Sequence, residues 1–584
     1  MASVLFQKFQ EICSSNGDDT CFYVSEYDRT ETNTNEMKYE IPPLRTCGFS
    51  ELNENISTIA SEMYFRHSIQ PQTHEISSSS PLPSQEVIKK ICSRCVFIVS
   101  DQVSCGEAAA VLACVRLKTV FVPIALGGNH KTSEHRLREI LGEIKPVAAI
   151  AVLATPEPKY VEEEEEDWEN KPAFSSNEVD LDSHPTVKKL NQLGIHRVIC
   201  ISAFDGKVFS PMTGFEKSSL PDIIDGDKDP MYILYTSGSS SKPKAVVQTY
   251  RGLLNRIQWQ WDTFPFVQQM RREIGFNETI ELLRTDGMIA GERDLENIND
   301  VVLRRTSLSF VDSMAEIFAT LLGGASLFCP IILDGIDYDV SRQGMGLQSL
   351  LFLAQRDSVQ ISRMTLLPTQ LEQAFRTNSN FKNNEEWLDS IDTIVVSGEP
   401  CPIGLGTLFQ KRMKRKKSLL VNLYGQSETS ADVSCLIVTT KDGESNFARF
   451  PNALRYNWNK ETRKETGDHF IDNCIKSLTP CGYPIHRHQF VLENEKAFQM
   501  SRLFVKGEGV ALCYANNFSE MKENFQISTH DDEKSEILFN TLDLVFKDGE
   551  GMIYVVGRAP RDKNDCQDGN CSLSMGKING EFGI

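Results

Sequence analysis

Short runs of apolar residues that alternate with helical stretches restrict the fold more than any other feature of this sequence. The runs are continuous rather than alternating, which is typical of strands covered on both faces, as in parallel α/β sheets. Residues 106–118 and 133–145, which lie between such runs, have helical spacing. The sequence therefore predicts a layered α/β protein. Its predicted strands include residues 95–100, 119–124, 148–153, 197–202, 232–237, 391–398 and 419–425.

Size and charge exclude several classes of protein. The chain has 584 residues, so we expect about two to four subdomains rather than one core. Its formal net charge of −19 argues against nucleic acid or an anionic membrane as the main partner. The longest apolar runs are about half the length of a membrane-spanning helix, and the N-terminal residues lack a secretory pattern. The 16 cysteines are scattered, which is typical of reduced thiols, and we expect a cytoplasmic protein.

One stretch, "MYILYTSGSSSKPKAVV" at residues 231–247, joins a buried strand to a cluster of hydroxyl residues. Free backbone N–H groups, hydroxyls and a lysine together can hold phosphate oxygens. Pro243 fixes the direction in which Lys244 leaves the loop. The spacing of a Walker A loop is absent. Taken alone, the stretch indicates a phosphate loop and an ordinary Ser/Gly-rich surface turn equally well.

The same stretch resembles the signature YTSGSTGxPKGV of the adenylate-forming superfamily. That superfamily comprises acyl-CoA synthetases, luciferase and peptide-synthetase adenylation domains. Other segments resemble further motifs of the superfamily in the expected order, and together they cover nearly the whole chain. These segments are residues 49–57, 112–141, 305–327, 395–400, 422–435, 502–514 and 538–558. Residues 255–266 and 423–428 resemble the β-alanine-activating branch, which is similar to peptide-synthetase adenylation domains.

The resemblance implies a site for ATP and Mg²⁺. Thr236, Lys244 and Glu428 would be catalytic, with Thr236 and Glu428 orienting Mg²⁺, a hard cation that prefers oxygen ligands. Tyr424 would stack on adenine, Asp543 would accept both ribose hydroxyls, and Arg558 would add a charged donor nearby. The remaining nucleotide-binding residues would be Ser237, Gly238, Ser239, Ser240, Ser241, Lys242, Pro243, Gly398, Glu399, Pro400, Asn422, Gly425 and Ser427. Individually, Glu428 could also cap a helix, Tyr424 belong to the core and Asp543 lie in a turn.

The implied reaction is attack of a substrate carboxylate on the α-phosphorus of ATP, which gives an acyl-adenylate and pyrophosphate. The acyl group would later pass to a thiol of CoA or of a phosphopantetheinyl carrier protein. The acid would bind near Phe310, Val311 and Asp312. Family members that use α-amino acids carry an aspartate directly after this phenylalanine, whereas here the acid comes one residue later. In an extended segment that slip would turn the side chain to the other face, which favours a β-amino acid or a plain carboxylic acid.

Several positions depart from the family pattern. Ser241, Ala245 and Leu542 replace family glycines, so a stiffer loop is expected. Relatives continue past the position of Arg558 into a mobile lid that carries a catalytic lysine. In this chain Pro560 replaces a hinge aspartate, and Lys577 matches a hinge-strand lysine, so no catalytic lysine is assigned. Two main functions remain open: an ATP-dependent acid–thiol ligase, and a lid-less nucleotide-binding protein with weak or no turnover. A generic ATPase is a third, weaker option.

The predicted domain organisation follows from the motifs and from changes in composition. Residues 1–225 would form a first α/β subdomain with a disordered acidic insertion at about 156–185. Residues 226–425 would form a second, with the phosphate loop and a polar insertion at about 267–299. A β-rich, barrel-like subdomain at 426–558 and the beginning of the lid at 559–584 would follow.

Overall fold

A computed structural model describes most of the chain. The described residues are 2–27, 44–71, 82–127, 131–154, 181–212, 220–222, 229–236, 243–285, 299–332, 346–377, 387–413, 418–440, 468–528 and 536–558. Several predictions fall outside these residues. They are the centre of the phosphate loop (237–242), most of the acidic insertion (155–180), part of the second insertion (286–298) and the predicted start of the lid (559–584).

The strands are spread along the whole described chain. Their bounds are β1 (Thr20–Tyr27), β2 (Arg45–Gly48), β3 (Val96–Ser100), β4 (Phe121–Ala125), β5 (Ala148–Leu153), β6 (Val198–Ser202), β7 (Pro230–Thr236), β8 (Lys244–Thr249), β9 (Val301–Leu303), β10 (Ser326–Ile332), β11 (Arg363–Leu366), β12 (Thr393–Val396), β13 (Leu419–Gln426), β14 (Ala431–Thr440), β15 (Tyr483–Pro484), β16 (His488–Leu492), β17 (Ser501–Gly507), β18 (Cys513–Tyr514), β19 (Phe525–Ser528), β20 (Glu536–Lys547) and β21 (Ile553–Arg558).

Helices connect most of these strands. Their bounds are α1 (Ala2–Ser15), α2 (Phe49–Ser61), α3 (Gln85–Cys92), α4 (Cys105–Arg116), α5 (Glu134–Glu143), α6 (Pro185–Gln192), α7 (Tyr250–Thr263), α8 (Val267–Ile274), α9 (Phe276–Thr285), α10 (Asp312–Leu322), α11 (Gly346–Arg356), α12 (Pro368–Thr377), α13 (Trp387–Ser390), α14 (Ile403–Arg412), α15 (His469–Ser477) and α16 (Phe518–Asn524). No helix among the described residues has both the length and the apolar character to cross a membrane.

The strands form three sheets. A seven-stranded sheet has the order β18-β8-β7-β4-β3-β5-β6, and a nine-stranded sheet has the order β15-β14-β13-β12-β11-β9-β10-β1-β2. Both contain runs of parallel strands, such as β4-β3-β5-β6 and β9-β11-β12-β13. Strands β16, β17, β19, β20 and β21 pair antiparallel in a five-stranded sheet. Most strands after residue 485 therefore form a separate sheet, whereas β14 and β15 join the nine-stranded sheet and β18 joins the seven-stranded sheet.

Helices cover both faces of the two larger sheets. One layer, which contains α1, α2, α4, α7 and α10, packs between the seven-stranded and the nine-stranded sheet in the largest apolar core. Helices α3, α5 and α6 cover the outer face of the seven-stranded sheet, and α11, α12 and α14 cover that of the nine-stranded sheet. The continuous apolar runs are explained by this burial, since β3, β4 and β5 are buried at every position.

The predicted α/β fold is confirmed, although sheet membership crosses two predicted boundaries, since β14 lies after residue 425 yet pairs with β13. Strands β7 and β8 follow residue 225 yet join the sheet of β3–β6, because β7 pairs in parallel with β4. Strands β1 and β2 join the other large sheet through β10. A strand pattern reveals that a segment is extended but does not reveal its partner. The predicted subdomain boundaries remain predictions.

The segment predicted as a second polar insertion begins as the two helices α8 and α9. Their apolar side chains form a small core of their own, composed of Val267, Met270, Ile280 and Leu283. Gly275 separates the two helices. The polar residues noted in the sequence are the outer faces of amphipathic helices, which is why the segment looked uniformly polar.

Candidate active site

The strands on either side of the predicted phosphate loop lie side by side. β7 and β8 pair antiparallel, with Thr236 opposite Lys244, so the loop leaves and returns at one edge of the sheet. Lys244 is buried, and its Nζ lies 2.8 Å from the Glu520 carboxylate on α16. The same ammonium lies 4.9 Å from the centre of the Tyr514 ring. The lysine predicted to contact phosphates is therefore compensated by a carboxylate of the chain itself.

Glu428 lies on a single 3₁₀ turn, Ser427–Thr429, directly after β13. Its carboxylate is buried, and one oxygen accepts a hydrogen bond from the Tyr514 hydroxyl at 2.9 Å. That hydroxyl is 3.5 Å from Lys244 Nζ. Gln248 of β8 donates to the Ser427 carbonyl and accepts from Ser430 at 2.7 Å, which fixes the turn against the loop strands. The structure thus brings Lys244 and Glu428 together through one tyrosine.

Asp543 lies at the other end of the same group of residues. Its Oδ2 accepts hydrogen bonds from the Tyr424 hydroxyl at 2.5 Å and from the Gln426 amide at 2.7 Å. Its Oδ1 is 3.2 Å from Arg558 Nη1. Burial raises the pKa of Asp543, although Arg558 and the two donors oppose the shift. Tyr424 and Gln426 lie on β13, which leads directly into the turn that carries Glu428.

The residues predicted to border the nucleotide have specific partners. The Asn422 amide donates to the Pro480 carbonyl at 3.2 Å, and Glu399 accepts from the Thr369 hydroxyl at 2.7 Å. Gly398 and Pro400 are exposed on the connection after β12. Gly425 must be glycine, because a Cβ there would lie 1.6 Å from the Ala431 carbonyl oxygen. The close approach of β13 and β14 at this point sets the start of the Glu428 turn.

Two departures from the family pattern have different structural consequences. Leu542, which replaces a glycine, has φ +59°, a left-handed conformation that costs a side-chain-bearing residue about 1–2 kcal/mol. Ala245 lies within the regular strand β8, where its N–H donates to the Asn516 side chain at 2.8 Å. It has no positive φ, so alanine fits there without strain. Ser241 lies outside the described residues.

The predicted acid-binding segment is a turn rather than an extended strand. Val311 has αR dihedral angles, and Asp312 is the first residue of α10. Placing the acid at 312 instead of 311 therefore rotates its side chain around the start of a helix and does not turn it to the opposite face. The opposite-face geometry, which applies to an extended segment, is thus corrected. Phe310 is 44% exposed and lines a chamber of about 350 Å³, whereas Val311 is buried.

Asp312 lies between that chamber and a smaller cavity of about 60 Å³, which is also lined by Arg256, Trp259 and Asp432. Arg256 donates to Asp432 through Nε at 2.9 Å and Nη2 at 2.8 Å. The Asp312 carboxylate makes no hydrogen bond or ion pair with another described residue. Loss of hydration raises the pKa of Asp312 to about 7, with a further contribution from the Asp432 carboxylate. The cavity therefore presents one carboxylate without a partner.

Motif reasoning missed several residues of this site. Tyr514, Gln426 and Asp432 lie inside segments that match family motifs, so the motifs could have drawn attention to them. Glu520 carries no motif signal, and Arg256 lies within residues 255–266, but the sequence does not show the distant partner of either residue. No cluster of three or more His, Cys, Asp or Glu side chains suited to a metal occurs in the described parts of the chain. Magnesium, however, commonly uses one or two carboxylates together with substrate phosphates, which fits Glu428.

Comparison with known proteins relates this arrangement to a family. The sequence profile described as AMP-binding enzyme matches residues 102–514. The chain is 27% identical over 221 residues to the β-alanyl-bioamine nonribosomal peptide synthetase ebony of Drosophila melanogaster, covering 38% of this chain and 21% of that protein. It is 24% identical over 357 residues to the β-alanyl-bioamine nonribosomal peptide synthetase of Schistosoma mansoni, covering 56% and 26%. The chain thus spans about a quarter or less of these relatives.

Solved structures with a similar fold cover almost the whole chain. The Klebsiella oxytoca NpsA N-terminal subdomain in complex with 3-hydroxybenzoyl-AMSN has a TM-score of 0.54 and 17% sequence identity, with 94% of this chain and 97% of that chain covered. NpsA in complex with 3-hydroxyanthranilyl-AMSN has a TM-score of 0.55 and 18% identity, covering 95% and 79%. At such low identity the likeness establishes the fold alone.

Proposed function

Because the chain belongs to the AMP-binding enzyme family, we propose that it activates a small amino acid with ATP, forming an acyl-adenylate and pyrophosphate. The acyl group would then pass to a thiol of CoA or of a phosphopantetheinyl carrier protein. One observation carries the proposal: Lys244 meets Glu428 through Tyr514, and Asp543 is bonded to Tyr424 and Gln426 on the strand that leads directly into the Glu428 turn. The alternative, nucleotide binding without turnover, is an outcome of the test below.

The proposed step uses the chain mainly for positioning and charge. An oxygen of the substrate carboxylate bonds to the α-phosphorus, and the bond from that phosphorus to the bridging oxygen breaks, so that the electron pair leaves with pyrophosphate. Thr236 and Glu428 would hold Mg²⁺, which neutralises phosphate charge when bound. Tyr514 keeps the Glu428 carboxylate oriented. Asp543 and Arg558 would bind the ribose side, since they already meet beside Tyr424.

The small cavity favours an acid that carries an ammonium group. Asp432 is compensated by Arg256 and accepts from the Ser397 hydroxyl at 3.1 Å, which leaves Asp312 as the carboxylate without a partner. A desolvated carboxylate gains most from an opposite charge and would repel a second carboxylate. A cavity of about 60 Å³ suits a short chain. The names of the two relatives, which refer to β-alanyl products, support a short β-amino acid.

Pyrophosphate–ATP exchange with three acids of equal carbon number tests this function. We expect 3-aminopropanoate to support the fastest exchange, with 2-aminopropanoate and propanoate at least about tenfold slower, because a hydrogen-bonding site rejects ligands that leave its polar group unpaired. ATP binding in calorimetry without acid-dependent exchange would instead favour the nucleotide-binding alternative. Release of phosphate that does not depend on any acid would indicate a simple ATPase and would also contradict the proposal.

The pH dependence of the same assay tests the role of Asp312. Below about pH 7 its carboxyl group is protonated and neutral, so the substrate ammonium loses its partner; above that pH the carboxylate is charged. We therefore expect kcat/KM for 3-aminopropanoate to fall about tenfold per pH unit below about pH 7, since kcat/KM reports the free enzyme. The Asp312→Asn variant should lack this limb. An identical acid limb in that variant would show that another group titrates.

A further inference from the structure

Arg256 places a guanidinium inside the small cavity, and the segment of residues 255–266 that contains it had been given no specific role for this side chain. It lies on α7, and its side chain is buried against the cavity wall that also contains Asp432. Both Nε and Nη2 donate to Asp432 Oδ2, and Nη1 donates to the Gln260 side chain at 3.0 Å. The guanidinium carbon also lies 4.8 Å from the centre of the Trp259 ring. Four contacts from two elements therefore hold the guanidinium in one place.

This arrangement gives different roles to Asp432 and Asp312, two of the carboxylates that line the cavity. Both oxygens of the Asp432 carboxylate have a hydrogen-bond donor, because Arg256 donates to one and the Ser397 hydroxyl donates to the other. Asp312 also lines the cavity, and among the described residues it makes no ion pair.

The cavity lining also contains Glu316, which pairs with Arg304, and Arg363, which pairs with Asp300. Asp312 is therefore the lining carboxylate without an ion pair among the described residues. The cavity is therefore electrically suited to one ammonium group, located at Asp312.

The guanidinium also limits the length of the cavity. A planar, rigidly held group that fills space beside Trp259 cannot move aside without breaking its bonds to Asp432 and Gln260. The remaining volume is about 60 Å³. Removal of the guanidinium would enlarge the cavity by the volume of that group. The apolar side chains of Phe264 and Leu423, which already line the cavity, would border the added space.

We propose that Arg256 determines specificity by closing the acid cavity, so that only amino acids with a short chain between carboxylate and ammonium fit. This inference rests on the proposed activation of an amino acid. It adds to that function a residue outside the acid-binding segment, and it explains why a second carboxylate, Asp432, can lie in the cavity without competing for the ammonium.

The test uses a double variant that removes both charges of the pair, Arg256→Met with Asp432→Asn, so that no buried carboxylate is left without a partner. The acids are 3-aminopropanoate, 4-aminobutanoate and 5-aminopentanoate in pyrophosphate–ATP exchange. We expect the ratio of kcat/KM for 5-aminopentanoate to that for 3-aminopropanoate to rise at least about tenfold in the variant. One methylene in a closed apolar pocket typically changes such ratios about 10–200-fold.

Arg251→Met is the matched control. Arg251 also lies on α7 and also forms an ion pair, 2.7 Å from Glu508, but it does not line the cavity. In the Arg251→Met variant, the ratio of kcat/KM for 5-aminopentanoate to that for 3-aminopropanoate should equal the ratio in the unsubstituted protein. Arg256→Lys, which keeps the charge opposite Asp432 but lacks the planar fork, provides a second variant should the double variant not fold. We expect it to change the ratio in the same direction.

The outcomes separate this inference from the proposed function. Exchange with the short acid but an unchanged ratio in the variants would overturn the specificity role of Arg256 and leave the function intact. If no acid supports exchange, the proposed function fails. The role of Arg256 in chain-length specificity is then tested by the dissociation constants of the same acids, measured by calorimetry. A shift of their ratio by about tenfold would support its role, whereas equal ratios or no binding by any protein would overturn it.

Discussion

Replacing Glu428 with glutamine is expected to lower the rate of pyrophosphate–ATP exchange about a hundredfold to a thousandfold. Loss of one preorganised charged group at a site of developing charge typically has this effect. Glutamine keeps the shape of the side chain and can still accept from the Tyr514 hydroxyl, so the turn should persist. The measurement is exchange at saturating acid across a Mg²⁺ titration, in which the concentration for half-maximal rate should rise.

Tyr514→Phe serves as the companion variant. It removes the hydroxyl that orients Glu428 but keeps the ring beside Lys244, so we expect a smaller loss, about tenfold, together with a weaker apparent affinity for Mg²⁺. If Glu428→Gln exchanged at the original rate with an unchanged Mg²⁺ requirement, the assignment of Glu428 to the metal would be wrong. A loss in both variants without any change in the Mg²⁺ dependence would indicate a purely structural role for the turn.

Replacing Arg304 with methionine is expected to lower the free energy of unfolding by about 3–5 kcal/mol. Arg304 follows β9 of the nine-stranded sheet, and its side chain is 0% exposed. It lies 3.0 Å from Glu107 on α4 and 2.6 Å from Glu316 on α10. Glu107 also accepts from the Ser100 hydroxyl at 2.5 Å. Removal of the guanidinium would leave two buried carboxylates without compensation at the junction of the two large sheets.

Urea denaturation measures this effect, and Arg376→Met is the control. Arg376 is 72% exposed and forms a 2.7 Å pair with Glu372 one turn away on α12, so its loss should cost about 0–1 kcal/mol because solvent screens the pair. Equal losses in the two variants would show that the buried triad contributes no more than a surface pair. A double variant of Arg304→Met with Glu316→Gln should recover part of the loss, because it removes one of the two stranded charges.

The family and the fold class could be predicted from the sequence. The adenylate-forming superfamily, inferred from ordered motifs, is confirmed by the family profile over residues 102–514. The α/β architecture is confirmed by the sheets and by the likeness to NpsA. Such signals are local: burial on both faces produces continuous apolar runs, and a phosphate loop or a close approach like that at Gly425 constrains residue type at fixed spacing. The roles of the individual site residues remain predictions.

The partners of the site residues could not be predicted in this way. The predicted contact of Lys244 with phosphates stays a prediction, but the pairing of Lys244 with Glu520 and its position beside the Tyr514 ring could not be predicted. The effect of the one-residue slip at Asp312 was considered for an extended segment, but the segment turns into α10. These features depend on which elements pack together. A lysine in a motif has the same sequence signature whether its charge faces a ligand or a carboxylate of another helix.

The sequence by itself thus determined the α/β class, seven of the strands, the helices α4 and α5, and the family, because periodicity and motif spacing reflect constraints between near neighbours. Only the tertiary structure decided how charges are shared: Arg304 between Glu107 and Glu316, Lys244 with Glu520, and Arg256 with Asp432 while Asp312 stays without a partner. The physical reason is that a buried charge is stable only beside its compensating group, and that group comes from whichever element the fold brings there.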